Sequence, residues 1–171
     1  GMTNTDGVYI GSRRIDTGDC SGPRSARKVL MHPDVDAAVF ETARGGILRE
    51  GLAFDRCKVA VVTNIGEGDH LGLNYITTVE DLAVVKRVIV QNVASDGVAV
   101  LNAADPVVAR MADNCPGSVT FFAMDRYHPL MAAHRAQNKR VVFVQDGQIV
   151  AAEGPVVHRI PLAEIPIKIG R

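Results

Sequence analysis

The sequence predicts an α/β fold, a three-layer structure with a mostly parallel sheet and helices on both of its faces. Short runs rich in β-branched and aromatic residues recur along the chain. Segments with apolar residues at helical spacing separate several of these runs. Strands that alternate with helices at this rhythm form parallel sheets with right-handed crossovers. The predicted strands of this kind are residues 36–40, 58–63, 97–101 and 118–122.

The N-terminal part begins with a predicted β-hairpin. Residues 8–10 and 13–15 are β-prone, and the Gly-Ser pair between them favours a tight turn. We expect this hairpin at the edge of a sheet. A helix is predicted over residues 24–31, because Pro23 suits the first helical turn. One or two further helical turns are expected over residues 47–51.

The middle of the chain contains a buried strand and a long helix. Residues 58–63 form a continuous apolar run, which predicts a strand covered on both faces. The helix is expected to begin after Thr78, whose hydroxyl suits an N-cap and which precedes acidic residues. Asp105-Pro106 is predicted to open another helix that reaches Met111. The apolar residues of the long helix are Leu82, Val85, Val88 and Ile89.

The segment 139–160 is predicted to be a β-hairpin region. Residues 140–144 and 148–152 flank an Asp-Gly pair, which is the strongest short hairpin signal in the chain. A third short strand is expected over residues 156–160. The 171 residues are predicted to form one domain, since this length is typical of a single domain.

The composition excludes several classes of protein. Hydrophobic residues make up 47% and charged residues 22%, which is typical of a globular chain. Nineteen basic residues balance nineteen acidic ones, so we expect neither nucleic acid nor a membrane as a partner. The separation of Cys20, Cys57 and Cys115 argues against a disulfide framework and a structural zinc site. The sequence contains no membrane-spanning run or signal-peptide pattern, which predicts a cytoplasmic protein.

Polar residues follow two of the predicted strands. Glu41 comes directly after strand 36–40, and a glycine-rich stretch with Asp69 and His70 follows strand 58–63. The carboxyl ends of parallel strands meet at one edge of a sheet, where α/β proteins bind ligands. Glycine lets such a loop approach a phosphate or a metal closely. One interpretation of these polar residues is a site that holds a hard divalent cation on nucleotide phosphates. Solvated side chains, or side chains paired with a neighbouring arginine, are the other.

Four strings of this sequence resemble one known family. They are TGDCSGP at 17–23, ETARGGILREGL at 41–52, VTNIGEGDHLG at 62–72 and LNAADP at 101–106. Together they are similar to the Mur-ligase-type, ATP-binding central domain of the cyanophycin synthetases, from Thr3 to about Ile165. A folate-type or peptidoglycan ligase is a weaker match, because the Glu-Thr-Ala-Arg-Gly-Gly string is more specific than a general Mur pattern.

The resemblance implies an ATP-dependent ligase that joins carboxylates to amines. Such enzymes activate a carboxylate as an acyl phosphate, which an amine attacks to form an amide. In the cyanophycin synthetase family this domain is associated with adding arginine to the side-chain carboxylates of polyaspartate. ATP and Mg²⁺ are the implied cofactors. ATP, the amino acid and the polymer are the implied partners of the full-length enzyme.

The resemblance also assigns roles to individual residues. Glu41 and His70 resemble the family's magnesium ligands, and His70 is also expected among the catalytic residues. Lys86 occupies the position of a lysine that many Mur-type ligases carry as a carbamate, which supports a second metal. The alternative for Lys86 is a lysine that extends from an apolar helix stripe towards solvent.

Three further residues are expected at the nucleotide. Asn102 resembles the adenine-side residue of the family's Asn-Ala-Asp-Asp string, which is Asn-Ala-Ala-Asp here. Asn64 and Asp105 are assigned to the same cofactor site. The changed string gives Asp105 a second interpretation, as the cap of the helix that begins at Pro106.

Four residues are expected to bind the other substrates: Arg44, Arg49, Ser21 and Arg24. An arginine beside the Gly45-Gly46 pair can hold a phosphate or a carboxylate through two hydrogen bonds. The alternative for Arg44 and Arg49 is a surface ion pair. For Ser21 and Arg24, which are assigned to the polymer, the alternative is a helix cap.

The family's phosphate-binding loop is absent from this sequence. No Gly-x-x-x-x-Gly-Lys-Ser/Thr string occurs, and the resemblance places that loop just before the segment similar to residues 2–7. Without its amides and lysine, phosphoryl transfer loses most of its electrostatic stabilisation. We therefore expect a truncated central domain that does not turn over alone. The competing hypothesis is a non-catalytic binding or assembly module on the same scaffold. Apolar surface exposed by the truncation predicts a homo-oligomer.

Overall fold

The computed structural model describes residues 1–66, 71–72 and 75–165 of the chain. In this part the strands are β1 (Met2–Asn4), β2 (Gly7–Ile10), β3 (Arg13–Thr17), β4 (Val39–Phe40), β5 (Cys57–Val62), β6 (Val93–Asn102), β7 (Ser118–Ala123), β8 (Val141–Gln145), β9 (Gln148–Glu153) and β10 (Val156–Pro161). The α-helices are α1 (Pro23–Leu30), α2 (Arg44–Glu50), α3 (Val79–Gln91), α4 (Pro106–Ala109) and α5 (Pro129–Ala136). Short 3₁₀ helices follow at Arg110–Asn114 and Leu162–Glu164.

The strands form two sheets. The first has the order β3-β2-β1-β4, and the second has the order β10-β9-β8-β7-β6-β5. In the second sheet β5 to β8 are parallel, whereas β8, β9 and β10 are antiparallel. This confirms the predicted α/β fold with a mostly parallel sheet and a hairpin near the C-terminus. The predicted N-terminal hairpin is also confirmed, with β3 at the edge of the first sheet.

One topological expectation is wrong. The strand before Glu41 was expected to lie in the same sheet as the strand before the 63–70 loop. Instead β4 pairs with β1 in the four-stranded sheet, whereas β5 pairs with β6 in the six-stranded sheet. Both strands are apolar, and the periodicity of a strand does not encode which partner it pairs with.

The chain divides into two compact units. Unit 1 comprises residues 1–55 and 72–86, and unit 2 comprises residues 56–71 and 87–171. The expectation of a single domain stays a prediction.

One face of the six-stranded sheet forms the core of unit 2. The strand register aligns Val62 with Leu101, Leu101 with Phe121, and Phe121 with Val141, and all four side chains are buried. On the opposite face of β5, Val59 and Val61 are 55% and 54% exposed. The prediction that residues 58–63 are covered on both faces is therefore wrong for this strand. A continuous apolar run shows that both faces of a strand are hydrophobic, but not that both faces are covered. Within the described residues β5 is the edge strand of its sheet, with β6 as its neighbour.

The start of α3 follows the predicted capping pattern. The Thr78 hydroxyl accepts the Asp81 N–H at 3.1 Å, and the Asp81 carboxylate accepts the Thr78 N–H at 3.2 Å. This reciprocal arrangement is a capping box. Hydrogen bonds from Thr78 and Thr77 lower the pKa of the Asp81 carboxyl group. Leu82 and Val85 are buried as their spacing predicts.

Two elements, β1 and α5, were not predicted from the sequence. α5 is short, and its buried residues are Met131 and His134. The His134 ring lies edge-on to Phe121, with 4.8 Å between ring centroids, and its Nε2 lies 2.9 Å from the Val119 carbonyl oxygen. These tertiary contacts support a helix too short to be stable alone. None of the helices in the described residues has the length and apolar character needed to cross a lipid bilayer.

Candidate functional site

Glu41 lies directly after β4 in unit 1. Its N–H donates to the Thr3 carbonyl at 2.9 Å, and its Oε2 accepts the Thr5 N–H at 2.9 Å. The residue is exposed. Carboxylate oxygen is a preferred ligand of Mg²⁺, which takes one or two protein carboxylates and completes its shell with water and phosphate. Glu41 therefore fits the metal-ligand role that the resemblance gives it, with one oxygen anchored to the main chain of unit 1.

A pocket in unit 1 opens beside Glu41. Its lining includes Ser21, Phe40, Thr42 and Phe54, and the Phe40 and Phe54 rings stack with 6.0 Å between their centroids. Its volume of about 10 Å³ is the space of roughly one water molecule. The pocket brings Ser21 and Glu41 to one place.

Ser21 is held within a tight polar turn. Its N–H donates to Asp19 Oδ1 at 3.1 Å, its hydroxyl donates to the same atom, and its carbonyl accepts the Ala43 N–H at 3.1 Å. The hydrogen bonds from Ser21 lower the pKa of the Asp19 carboxyl group, and the charge of Arg49 adds to this effect. The helix-cap alternative for Ser21 is wrong, because Gly22 is the N-cap of α1 and has no side-chain bond. Binding of the polymer by Ser21 stays a prediction.

The three candidate arginines lie on α1 and α2. Arg24 pairs with Glu50 at 3.1 Å, and its side chain is 83% exposed. The Arg49 guanidinium lies over Gly45, where an added Cβ would stand 3.2 Å from Nη1. Arg44 is the first residue of α2 and is half-buried. Arg24 thus already has a carboxylate partner, and substrate binding by the three arginines stays a prediction.

Asn102 stands at the end of β6 in unit 2. Its Nδ2 donates to the Thr63 carbonyl at 2.9 Å, and its Oδ1 accepts the Ala104 N–H at 2.9 Å. Both polar atoms of the amide therefore have main-chain partners. Asn64, beside Thr63, is exposed.

Asp105 bonds to two separate segments of unit 2. Its Oδ1 accepts the N–H groups of Val107 and Val108 at 2.9 and 3.1 Å, which caps α4. Its Oδ2 accepts the Ile65 N–H at 2.8 Å. The helix-cap interpretation of Asp105 is confirmed. The bond to Ile65 was not foreseen.

The last two assigned residues are His70 and Lys86. His70 lies outside the described residues, as do Glu67 and Asp69. Lys86 lies on α3 and is half-buried. The convergence of Glu41 with His70, and the carbamate on Lys86, stay predictions. Within residues 1–66, 71–72 and 75–165, no group of three or more His, Cys, Asp or Glu side chains is placed to hold a metal.

Sequence patterns point to only some of the contacts that were missed. The spacing of Asp19 and Ser21 is that of an Asx turn, which the pattern alone could have indicated. The bonds from the Thr5 N–H to Glu41, and from the Ile65 N–H to Asp105, span 36 and 40 residues. No local pattern encodes such pairs.

Comparisons with known proteins agree with the sequence motifs. Residues 1–162 match the Mur ligase middle domain. The chain is 47% identical over 168 residues to a cyanophycin synthetase of Geminocystis herdmanii, with 98% of this chain and 19% of that protein covered. It is 45% identical over 171 residues to the cyanophycin synthetases of Crocosphaera subtropica and a Synechocystis species, with 99% of this chain and 20% of each relative covered. The chain thus spans about a fifth of the length of these relatives. By this match, which runs through almost all of its length, the chain belongs to the family of Mur ligase middle domains.

Proposed function

We propose that this chain is part of a cytoplasmic, ATP-dependent ligase of the cyanophycin synthetase type. The complete enzyme adds arginine to the side-chain carboxylates of polyaspartate. The observation that carries the proposal is the 42–47% identity, along 98–99% of the chain, to proteins named cyanophycin synthetase. That identity extends through both units.

The proposed reaction has two steps. A side-chain carboxylate oxygen of the polymer attacks the γ-phosphorus of ATP, which forms an acyl phosphate and releases ADP. An amine nitrogen of arginine then attacks the acyl carbon, which forms the amide and releases phosphate, and the nitrogen loses a proton. Bound Mg²⁺ would neutralise the charge that develops on the transferred phosphoryl group.

Some residues of this chain are proposed to bind the metal and the substrates, and others to orient the binding groups. Glu41 contributes a carboxylate to the metal, and the Thr5 N–H fixes its Oε2 before any ligand arrives. An anchored ligand loses less side-chain entropy when the metal binds. His70 is proposed as the second metal ligand and Lys86 as the carbamate support. Arg44 and Arg49 are proposed to hold anionic groups of the substrates.

The 171-residue chain by itself is proposed to be inactive. Its sequence contains no Gly-x-x-x-x-Gly-Lys-Ser/Thr string, so it has no loop of that kind to hold the triphosphate. The electrostatic stabilisation of phosphoryl transfer depends on such donors.

The test is an arginine-dependent assay of ADP release with a polyaspartate primer. The protein expressed from its complete reading frame should release ADP and extend the primer with arginine, whereas the 171-residue chain should not. Glu41→Ala should abolish activity in the complete protein. Glu164→Ala, which removes an exposed carboxylate outside unit 1, is the matched control and should leave the activity unchanged. Wild-type protein that releases no ADP with any acidic primer and arginine would reject the ligase function.

The second candidate function is a binding or assembly module, favoured by the free edge of β5. Val59 and Val61 on this edge strand are more than half exposed. Exposed apolar residues on an edge strand favour self-association, so the chain is proposed to form homo-oligomers. Sedimentation over a range of concentrations should show oligomers that Val61→Lys dissociates. Val157→Lys on β10, the opposite edge, is the control. A monomer at every concentration would count against this candidate.

A further inference from the structure

The main chain and the side chain of Glu41 both bond to the end of β1. The Glu41 N–H donates to the Thr3 carbonyl, and its Oε2 accepts the Thr5 N–H. Asn4 lies between these two partners. We propose that Asn4 is a positioning residue, whose side chain holds the Thr5 N–H where it orients the Glu41 carboxylate for Mg²⁺. The inference rests on the proposed function, because that proposal gives Glu41 to the metal.

The Asn4 side chain closes the turn between β1 and β2. Its Oδ1 accepts the N–H groups of Asp6 and Gly7, both at 3.0 Å. Asn4 and Gly7 are register partners in this hairpin, so Thr5 and Asp6 are the two residues of the turn. An asparagine side chain that accepts a main-chain N–H two residues further on forms an Asx turn. One side-chain oxygen therefore fixes the main chain that follows Thr5.

The backbone of this turn is not of the type that two-residue hairpins favour. Their usual turns have a positive φ at the first central residue or at both, which matches the twist of the strands. Neither Thr5 nor Asp6 has a positive φ. Asn at the first position and Gly at the fourth are typical of a type I turn, which splays the strands of a hairpin. The bonds from Asn4 favour this turn where strand twist does not.

The peptide group between Asn4 and Thr5 is bonded on both sides. Its carbonyl oxygen accepts the Cys20 N–H at 3.0 Å, and its N–H donates to Glu41 at 2.9 Å. Cys20 is only 5% exposed, so a lost bond to its N–H would be costly. A different turn would rotate this peptide group and disturb both bonds. The conformation that Asn4 selects is therefore the one that aims the Thr5 N–H at Glu41.

The bond from Thr5 orients Glu41 and leaves its carboxylate able to bind a metal. An ionised carboxylate has about four lone-pair sites on its two oxygens, and one N–H occupies one of them. Glu41 is exposed and lines the pocket that also includes Ser21. Because Mg²⁺ takes only one or two protein carboxylates, the direction of each one matters.

The first experiment measures the chemical shift of the Thr5 amide proton by NMR in the 171-residue chain. A hydrogen bond to a carboxylate moves an amide proton downfield, so Glu41→Ala should move the Thr5 signal upfield. In the Asn4→Ala background the same substitution should move it less, which is a double-mutant cycle. Asn4→Asp keeps an acceptor for the turn, so the full change should return in that background.

The signals of the unit 1 core show whether each variant is folded, and the Val8 amide is the reference. An equal effect of Glu41→Ala in the wild-type and Asn4→Ala backgrounds would overturn the proposal. Loss of the folded Val8 signal in Asn4→Ala would also overturn it, because Asn4 would then support the whole unit and not one side chain.

The second experiment measures nucleotide binding by calorimetry in the protein expressed from its complete reading frame. The probe is a non-hydrolysable ATP analogue, with and without Mg²⁺. Asn4→Ala should weaken Mg²⁺-dependent binding by about 10- to 100-fold, as for other groups that orient metal ligands. Asn4→Asp should restore it, and binding without Mg²⁺ should be equal in all variants.

The matched control is His32→Ala in the same unit. His32 Nδ1 accepts the Asp34 N–H at 3.2 Å, so it is also a side-chain acceptor for a main-chain group two residues further on. His32 follows the C-terminal end of α1, whereas Pro23 at the start of α1 lines the pocket beside Glu41. His32→Ala should therefore leave Mg²⁺-dependent binding unchanged.

The outcomes separate the inference from the proposed function. Unchanged Mg²⁺-dependent affinity in Asn4→Ala would overturn the inference alone, because the turn would then be only structural. Equal weakening in Asn4→Asp or in His32→Ala would overturn it too, since the loss would not depend on the Asn4 acceptor. Wild-type protein without Mg²⁺-dependent binding would instead reject the proposed function, and the positioning role with it.

Discussion

The loop after β4 in unit 1 and the loop after β5 in unit 2 use polar side chains in opposite ways. After β4, a main-chain N–H from Thr5 holds the side chain of Glu41. After β5, the side chains of Asn102 and Asp105 hold the main chain at Thr63 and Ile65. The first arrangement orients the charged side chain of Glu41, and the second orients the main chain of the loop after β5. Polar residues next to strand ends can therefore look alike in sequence and have different physical roles.

The strongest test of this difference is the stability of Asp105→Ala. The substitution removes the cap of α4 and leaves the buried Ile65 N–H without an acceptor. Loss of a cap costs about 1 kcal/mol and an unsatisfied buried donor about 1–3 kcal/mol. Urea denaturation should therefore show a free energy of unfolding lower by about 2–4 kcal/mol. Asp113→Ala is the control and should change it by less than about 0.5 kcal/mol. An equally small change for Asp105→Ala would remove the distinction between the two loops.

A second test concerns His134, another polar side chain of unit 2 bonded to the main chain. Burial lowers the pKa of the His134 imidazole below its ordinary value of 6.5. The unfolded chain therefore takes up this proton at a higher pH than the folded protein does. The neutral ring's contribution to stability is complete above pH 6.5 and is lost as the pH falls through the folded pKa.

The measurement for His134 is the denaturation midpoint between pH 7.5 and 5. We expect the midpoint to fall with pH in the wild type and to fall less in His134→Gln, which cannot titrate but keeps a donor for the Val119 carbonyl. His158→Gln, at an exposed position on β10, should retain the wild-type pH dependence. The same dependence in His134→Gln would exclude His134 as its source.

A third test examines the ion pair between α1 and α2 in unit 1. Arg24 is 83% exposed where it meets Glu50, so solvent screens the attraction. Arg24→Ala should lower the free energy of unfolding by less than about 1 kcal/mol, measured by urea denaturation. If Arg24 also binds the polymer, the same variant should raise the KM for the primer in the complete protein. A large loss of stability would show that unit 1 depends on this pair.

The smallest effect on stability is expected for Glu41→Gln. The amide oxygen can still accept the Thr5 N–H, and the position is exposed, so stability should change by less than about 0.5 kcal/mol. Calorimetry with Mg²⁺ and a non-hydrolysable ATP analogue in the complete protein should nevertheless show that Mg²⁺-dependent nucleotide binding is lost. The reason is that a neutral amide is a poor magnesium ligand. Unchanged binding would remove Glu41 from the metal site. A large change in stability would show that Glu41, like Asp105, is structural.

Local patterns predicted most elements of the fold and some of the site. The turn between β2 and β3, the capping box before α3 and the Asp-Gly hairpin between β8 and β9 involve residues a few positions apart. Such signals are present in a short window of sequence. β1, α5 and the membership of β4 in a separate sheet depend on partners distant in the chain, and they were missed.

The sequence by itself determined most of the strands and helices, the family and the identity of the candidate ligands. Short-range sterics, capping and the alternation of apolar residues are local, and the family motifs are continuous strings. Only the tertiary structure decided that Glu41 is held by Thr5, that Asp105 reaches Ile65, and that one face of β5 is open. Hydrogen bonds across 36 or 40 residues form only after the chain has folded, because long-range pairing depends on how the elements pack.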